Sequence, residues 1–331
     1  MQIGIGNPGS PDRREKRRAG TPATGAEART LTAAYERCRQ LHARHGKTYY
    51  LATLLLPAWK RRHVHALYGF TRYADEIVDD LASGLSAAEQ TAALWAWGDR
   101  FFASLRGAPS DDPVLPAVLH TLRAFDLDVA DFARFLEAMA MDLCRSSYAT
   151  YDDLLGYMEG SAAVIGTMMT PILEADDLAR AREHARQLGL AFQLTNFIRD
   201  VAEDLERDRV YLPQADLERF GVTRHDLAAG QVTAAVRDLL AFEVARARAH
   251  YRAAAPGIRL LAPSSRPCIR VAFQLYGGIL DEVERAGYQV LRGRVRVPPR
   301  RRLALAARHW PVAVAAARAE RRVTVAGPVR R

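Results

Sequence analysis

Cysteine is scarce in this 331-residue chain. The three present, Cys38, Cys144 and Cys268, are odd in number and far apart. That excludes a disulfide framework and any metal site built on paired cysteines. Buried thiols in a reducing compartment are the expectation, hence a cytoplasmic protein. Long apolar runs are missing as well. No stretch reaches the roughly 18 apolar residues that a spanning helix needs. Strand signals are equally thin: there are no period-two β-branched runs and no Asn-Gly or Asp-Gly hairpin turns, which argues against a sheet-based fold. The first 25 residues hold Gly, Pro and a basic cluster (Arg13, Arg14, Lys16, Arg17, Arg18). No apolar segment follows that cluster directly, so the stretch reads as a disordered polar tail and not as a secretory signal.

Acid is lacking at the ends. From Arg292 to Arg331 twelve arginines face one glutamate, a balance of +11. Residues 1–29 carry +3, so the total of +9 leaves −5 for residues 30–291. A mildly acidic body without an aromatic-interleaved basic groove speaks against a nucleic-acid partner. The basic C-terminus is either a solvated tail or a contact with anionic lipid, which would make the protein peripheral at the inner face of a membrane.

What is present is helical pattern. Apolar residues at i, i+3 and i+4 predict helices near 30–45, 57–82, 86–106, 113–125, 128–145, 150–174, 177–206, 232–254 and 264–290. Pro57 can open a helix, and Ser83-Gly84, Gly107-Ala108-Pro109 and Pro256-Gly257 can stop one. Ser86 followed by Glu89 is a capping box, and Asp111-Asp112-Pro113 opens the next helix. No shift in composition marks a linker within 30–290. The expected organisation is a tail over 1–29, one all-α domain over 30–298, and a basic extension over 299–331. Leu303 to Ala319 within that extension has an amphipathic pattern. Gly4-x-Gly6-x-x-Gly9 spells a dinucleotide fingerprint, but neither a strand nor a helix flanks it, so it is a chance match.

Two segments stand out. In the first, Tyr68, Arg72, Asp75 and Asp79 follow one another at three- and four-residue steps and share a helix face. In the second, Gln193, Asn196, Asp200 and Asp204 do the same on a helix otherwise apolar through Leu190, Phe192, Leu194, Phe197, Ile198 and Val201. Like charges four residues apart repel, so each pair needs compensation. A single acidic stripe could be a solvated face. Two stripes in a strand-free chain point to carboxylates facing each other inside a bundle, an arrangement that holds metals. Mg²⁺ takes one or two carboxylates, waters and phosphate oxygens. The combination implies a diphosphate bridged by Mg²⁺. Arg72, Arg199 and Arg209 lie beside the pairs. Each can bind phosphate through its planar fork or neutralise an aspartate.

These residues resemble the squalene/phytoene synthase family, over roughly Tyr35 to Pro298. His45-Gly46-Lys47-Thr48-Tyr49-Tyr50-Leu51-Ala52-Thr53 is similar to the family's first motif, with Thr48 and Tyr49 where Ser and Phe are more usual. Leu55-Leu56-Pro57, Ala66 to Arg72 and the first aspartate pair follow in order. Tyr157 to Gly166 is similar to the segment along the family's lipid cavity. Asn196 to Asp204, with Arg209 and Tyr211-Leu212-Pro213, resembles the second aspartate-rich motif.

The resemblance implies an all-α isoprenoid-synthase fold around a central cavity. It implies Mg²⁺, with Mn²⁺ as a substitute, and head-to-head joining of two prenyl diphosphates through a cyclopropylcarbinyl diphosphate. It gives the Mg²⁺ positions to Asp75, Asp79, Asn196, Asp200 and Asp204, with Glu76, Asp80 and Glu203 as neighbours. It places Arg72, Gln193, Asn196, Arg199, Arg209 and Tyr211 on diphosphate or metal-bound water. It puts His45, Thr48, Tyr49, Tyr68, Asp142 and Tyr157 in the cavity lining, with Tyr276 and Arg294 as C-terminal contributors. Val164, Ile165, Met168, Met169 and Leu173 are either cavity lining or ordinary core. The reading implied is a phytoene synthase acting on two geranylgeranyl diphosphates without NADPH. The alternatives are a squalene- or dehydrosqualene-type synthase using farnesyl diphosphate and a non-catalytic helical binding protein.

Overall fold

A computed structural model of the chain describes residues 25–79 and 84–326, with side chains to residue 320. Residues 1–24 of the tail expected over 1–29, the Gly4–Gly9 match, residues 80–83 (Asp80, Ser83 and the end of the helix expected over 57–82 among them) and residues 327–331 lie outside the described residues. Among the described residues the only β pairing is two isolated bridges, Ser147–Val210 and Ala175–Leu261. The fold is all-α.

Helix α1 (Gly25–His45) begins inside the expected tail and buries Ala34, Tyr35, Cys38, Leu41 and His42 on one face, as a 3.6-residue period requires. A short helix that the pattern did not predict, α2 (Lys47–Thr53), leads to α3 (Ala58–Asp79). Pro57 does open α3: its carbonyl accepts the Lys60 and Arg61 amides at 3.0 Å each. α4 (Ala87–Leu105) starts on the Ser86/Glu89 capping box. α5 (Leu115–Phe125) starts later than expected. The Asp112 carboxylate caps the amides of Val114 and Leu115 at 2.9 and 3.1 Å and accepts the Trp97 indole at 3.0 Å. α6 (Val129–Met141) ends four residues early.

The single helix expected over 150–174 is three pieces. α7 (Tyr151–Met158) passes through a π turn (Glu159–Ala163) into α8 (Val164–Ile172). Next comes α9 (Leu178–Glu206), at 29 residues the longest helix among the described residues. Two short helices follow without a predicting pattern, α10 (Gln214–Arg219) and α11 (Arg224–Ala228). α12 (Ala234–Ala254) runs through a 3₁₀ turn to α13 (Arg266–Arg285). Left-handed Gly287 and Tyr288 follow the end of α13, short of the expected residue 290. The C-terminal extension contains α14 (Pro299–Ala326), longer than its pattern suggested.

Two apolar clusters make the core. In one, Phe70 lies 4.9, 5.1 and 5.0 Å from the rings of Trp97, Phe101 and Phe132. The other joins α9 to α12 and α13 through Leu194, Ile198, Leu240 and Leu280. Phe192 of α9 packs against both clusters, so α9 is their shared wall. Lys60 is fully buried and ties distant segments together. Its ammonium meets Glu174 at 2.8 Å, Glu320 at 3.6 Å, and the hydroxyls of Ser264 and Ser265 at 3.1 and 2.9 Å. Of the cysteines, Cys38 and Cys268 are buried as expected, and burial pushes both thiols up to about 12. Cys144 is exposed, because α6 stops before it and the chain turns outward there. Among the described residues no helix is long and apolar enough to cross a membrane.

Candidate active site

The site is laid out along α3 and α9. Val64, Leu67, Tyr68 and Thr71 of α3 and Leu188, Gly189, Phe192 and Gln193 of α9 wall one apolar cavity of about 260 Å³. Further along each helix, in the same direction, come the acids. Asp75 and Asp79 follow Thr71 by one and two turns, and Asp200 and Asp204 follow Gln193 by two and three. The two acidic ends meet. Asp79 accepts from Arg207 at 2.9 Å and from Arg209 at 3.3 Å, across 128 and 130 residues.

Close backbone approach shapes the walls. A Cβ at Gly166 would lie 2.3 Å from the Ala185 carbonyl oxygen, and one at Gly189 would lie 2.5 Å from that of Ala162. Only glycine permits these contacts of α9 with α8 and with the π turn before it. Gly46 has the same role beside α2, where a Cβ would lie 2.7 Å from the Tyr68 ring and 2.8 Å from that of His42. The hydroxyls of Thr53, Thr71 and Thr170 donate to the carbonyls of Tyr49, Tyr68 and Gly166. Ser161, on the π turn, is the wall hydroxyl left buried without a partner. Of the aliphatic candidates, Ile165, Met169 and Leu173 line the cavity, whereas Val164 and Met168 are buried core.

The polar end is crowded with charge. Arg72 donates to Asp75 at 2.9 Å and to Glu76 at 3.1 Å, and His45 reaches Glu76 at 3.6 Å. Arg199 forks onto both oxygens of Asp200 at 2.7 and 2.6 Å. Arg294 bridges Asp200 and Glu203 at 2.7 and 2.6 Å. Tyr157 and Tyr211 donate to Asp142 at 2.7 and 3.0 Å. Tyr49 stacks on Tyr276 at 4.4 Å, between the cavity and Arg199. Tyr68 stacks on His42 at 4.1 Å.

Despite these cations the acids remain under strain. Burial first, and then the charge of Asp79, pushes the Asp75 carboxyl up to about 6. Its side chain keeps 45% of its surface accessible. Burial and the charge of Asp200 push Asp204 up to about 7. Asp142, itself raised by burial, adds its charge to both. Asn196 donates to Gln193 at 3.4 Å, while its own side-chain oxygen is buried and has no partner. Carboxylates that stay raised in spite of their arginine neighbours, together with an orphaned amide oxygen, suit a hard cation. The donor set therefore fits Mg²⁺. Among the described residues no group of three His, Cys, Asp or Glu closes on one point.

The sequence model of the squalene/phytoene synthases matches residues 42–301. The chain belongs to the squalene/phytoene synthase family. Among squalene/phytoene synthases it is 38% identical over 286 residues to the 15-cis-phytoene synthase of Synechococcus elongatus, covering 83% of this chain and 91% of that one. It is 39% identical over 281 residues to the 15-cis-phytoene synthase of Synechocystis sp., covering 82% of each. In solved structures it is similar to a dehydrosqualene synthase, with a TM-score of 0.75, 26% identity, and coverage of 86% of this chain and 97% of that one. A squalene synthase from Alicyclobacillus acidocaldarius gives 0.71 at 29% identity, covering 78% and 95%.

Within this squalene/phytoene synthase the expected residues are distributed unevenly. Tyr49, Tyr68 and Gln193 do line the cavity, but His45, Thr48, Asp142 and Tyr157 are not among its wall residues. His45 stands outside at Glu76, half-buried Thr48 lies on α2, and Asp142 and Tyr157 hold each other at the polar end. The reason is that α6 ends at Met141, which leaves Asp142 facing Tyr157 and Tyr211. Three participants were not anticipated. Arg207 sits between the second pair and Arg209, so its spacing was a usable signal. His42 and His65 gave none, since a histidine on an apolar face reads as core.

Proposed function

We propose that this protein joins two geranylgeranyl diphosphates head to head to give phytoene, as a step of carotenoid biosynthesis. The observation that carries the reading is the meeting of two aspartate pairs at one end of an apolar cavity, through Asp79, Arg207 and Arg209. One substrate loses diphosphate to give an allylic cation. The double bond of the other attacks it, and loss of a proton from the resulting cation closes the three-membered ring of the cyclopropylcarbinyl diphosphate. Loss of the second diphosphate, rearrangement and loss of a proton complete the reaction without NADPH.

Asp75, Asp79, Asn196, Asp200 and Asp204 are the residues to hold Mg²⁺ or, as a substitute, Mn²⁺. Bound there, the ion supplies Lewis-acid stabilisation of the departing diphosphate. Arg72, Arg199, Arg209 and Arg294 present guanidinium forks to the same oxygens. Because these groups are held by ion pairs before substrate arrives, little reorganisation is needed when charge develops. Tyr211 and Tyr157 fix Asp142 so that its charge stays among the cations. The apolar walls keep water from the carbocation, and the faces of Tyr49, Tyr68 and Tyr276 attract it.

The domain is proposed to span residues 30–298. Because substrates and product carry long hydrocarbon chains, the enzyme works from the cytoplasm at a membrane surface. The phytoene-synthase relatives named above support the geranylgeranyl reading over a farnesyl-using squalene- or dehydrosqualene-type reaction. Pure protein incubated with each diphosphate and Mg²⁺, with and without NADPH, tests it. A forty-carbon product from geranylgeranyl diphosphate alone is expected. A thirty-carbon product made solely from farnesyl diphosphate would overturn the assignment.

A further inference from the structure

The outer face of α14 is built unlike the rest of the surface. Five large apolar side chains are exposed among the described residues, and three of them, Leu303, Trp310 and Val312, are on this helix. Leu303 and Trp310 are seven residues apart, two turns along one face. Exposed Arg300, Arg308 and Arg318 accompany them. The one acidic residue of α14 is Glu320, and it turns inward to buried Lys60 at 3.6 Å. Arg301 likewise turns inward, to Asp281 and Glu282 at 3.3 and 3.0 Å. Buried Ala306 and Ala313 complete the inner face. The helix is thus fastened to the body by its polar inner contacts. It presents apolar and cationic groups outward with no acid among them.

Beside Trp310 runs a mainly apolar groove of about 260 Å³, walled by Leu54, Leu55, Leu56, Pro57 and Arg61 on one side and by Trp310, Val314 and Arg318 on the other. Leu54 directly follows Ala52 and Thr53, which line the reaction cavity. The groove and the hydrocarbon end of the cavity therefore share the C-terminus of α2.

From this face we propose that the outer surface of α14, with the Leu54–Trp310 groove, is the docking surface on an anionic bilayer. Apolar groups that enter the acyl boundary, flanked by cations that meet anionic headgroups, are what an interfacial helix requires. A nucleic acid would find the charge but no use for Leu303, Trp310 and Val312. A second copy of the chain would bring three more arginines against these. The proposal rests on the membrane contact argued above and assigns it to named residues. Docking by this face sets the enzyme down with the groove, and the cavity wall behind it, against the lipid that holds substrate and product.

The test uses the full-length protein with vesicles of phosphatidylcholine alone, or of three parts phosphatidylcholine to one part phosphatidylglycerol. Cosedimentation with the anionic vesicles is expected, together with quenching of tryptophan emission by brominated lipid that disappears in Trp310→Phe. The triple variant Arg300→Gln, Arg308→Gln, Arg318→Gln alters only exposed side chains. It should bind roughly fivefold more weakly per arginine removed. Leu303→Ser with Trp310→Ser should lose binding while circular dichroism stays unchanged. Wild-type affinity in both variants overturns the assignment to α14 and leaves membrane contact elsewhere standing. Absence of wild-type binding to either vesicle overturns both. A concentration-dependent dimer abolished by the serine variant would overturn the bilayer as occupant, as would equal affinity for duplex DNA.

Discussion

Asp79, at the end of the first acidic helix, accepts a hydrogen bond at 2.9 Å from Arg207, which lies just past the end of the second. Arg209 joins from 3.3 Å. This contact pins the two halves of the site together before any ligand arrives. Hydrogen bonds between charged groups contribute roughly 1.5–3 kcal/mol, and the lower figure suits half-exposed Arg207. Arg207→Gln should lower kcat/KM about tenfold. Arg209→Gln, more buried, should lower it about a hundredfold. Steady-state kinetics with geranylgeranyl diphosphate measures both, and unchanged values would remove the pin from the account.

The aspartates are placed for chemistry at the expense of mutual repulsion. Asp75→Ala and Asp200→Ala should each reduce turnover by about 10³-fold or more. Far-UV circular dichroism should retain its helical signal, since neither side chain belongs to the apolar core. Wild-type rates in either variant would favour a non-catalytic role for the whole protein.

The His42–His65 pair makes a pH-dependent contribution to stability. Their Nδ1 atoms lie 2.9 Å apart in a buried wall. Burial lowers His42 to about 3, helped by His65, and lowers His65 to about 4, helped by the charge of Arg61. Unfolded histidine titrates near 6.5. Between that value and about 4 the unfolded chain binds the protons, so stability is complete above pH 6.5 and falls as pH drops below it. The loss approaches about 1.4 kcal/mol per histidine per pH unit. Thermal melts at pH 7.5 and 5.5 should differ less in His42→Phe/His65→Phe than in the wild type. An equal shift in both would show that the pair is not the source.

Lys60 has no accessible surface and holds Glu174, Glu320 and two serine hydroxyls at once. Lys60→Met takes that cation from two partly buried carboxylates. A loss of about 3–5 kcal/mol is expected, read as a lower midpoint in urea with an unchanged slope. A midpoint within error of the wild type would mean that α14 is held without this network.

Much of the fold was legible in advance. The span of α9 agrees with its apolar period to within one residue, and the Ser86/Glu89 box starts α4 where its spacing said it would. Local rules suffice there because the contacts are three and four residues apart. They failed where distant groups set the boundary. The π turn at Glu159–Ala163 and the short α2, α10 and α11 lack a period long enough to be read.

The site divides along the same line. Helical geometry alone puts Asp75 with Asp79, and Asp200 with Asp204, on single faces, so the sequence by itself determined that two acidic stripes exist and which arginines flank them. Only the tertiary structure decided that the stripes meet, that Arg207 closes them, and that Asp142 is held by two tyrosines away from the cavity wall. It also turned a basic tail into a helix with an acid fastened inward and tryptophan outward. Each of these depends on groups more than ten residues apart, and chain closure over such distances is decided by packing and desolvation, which no local period encodes.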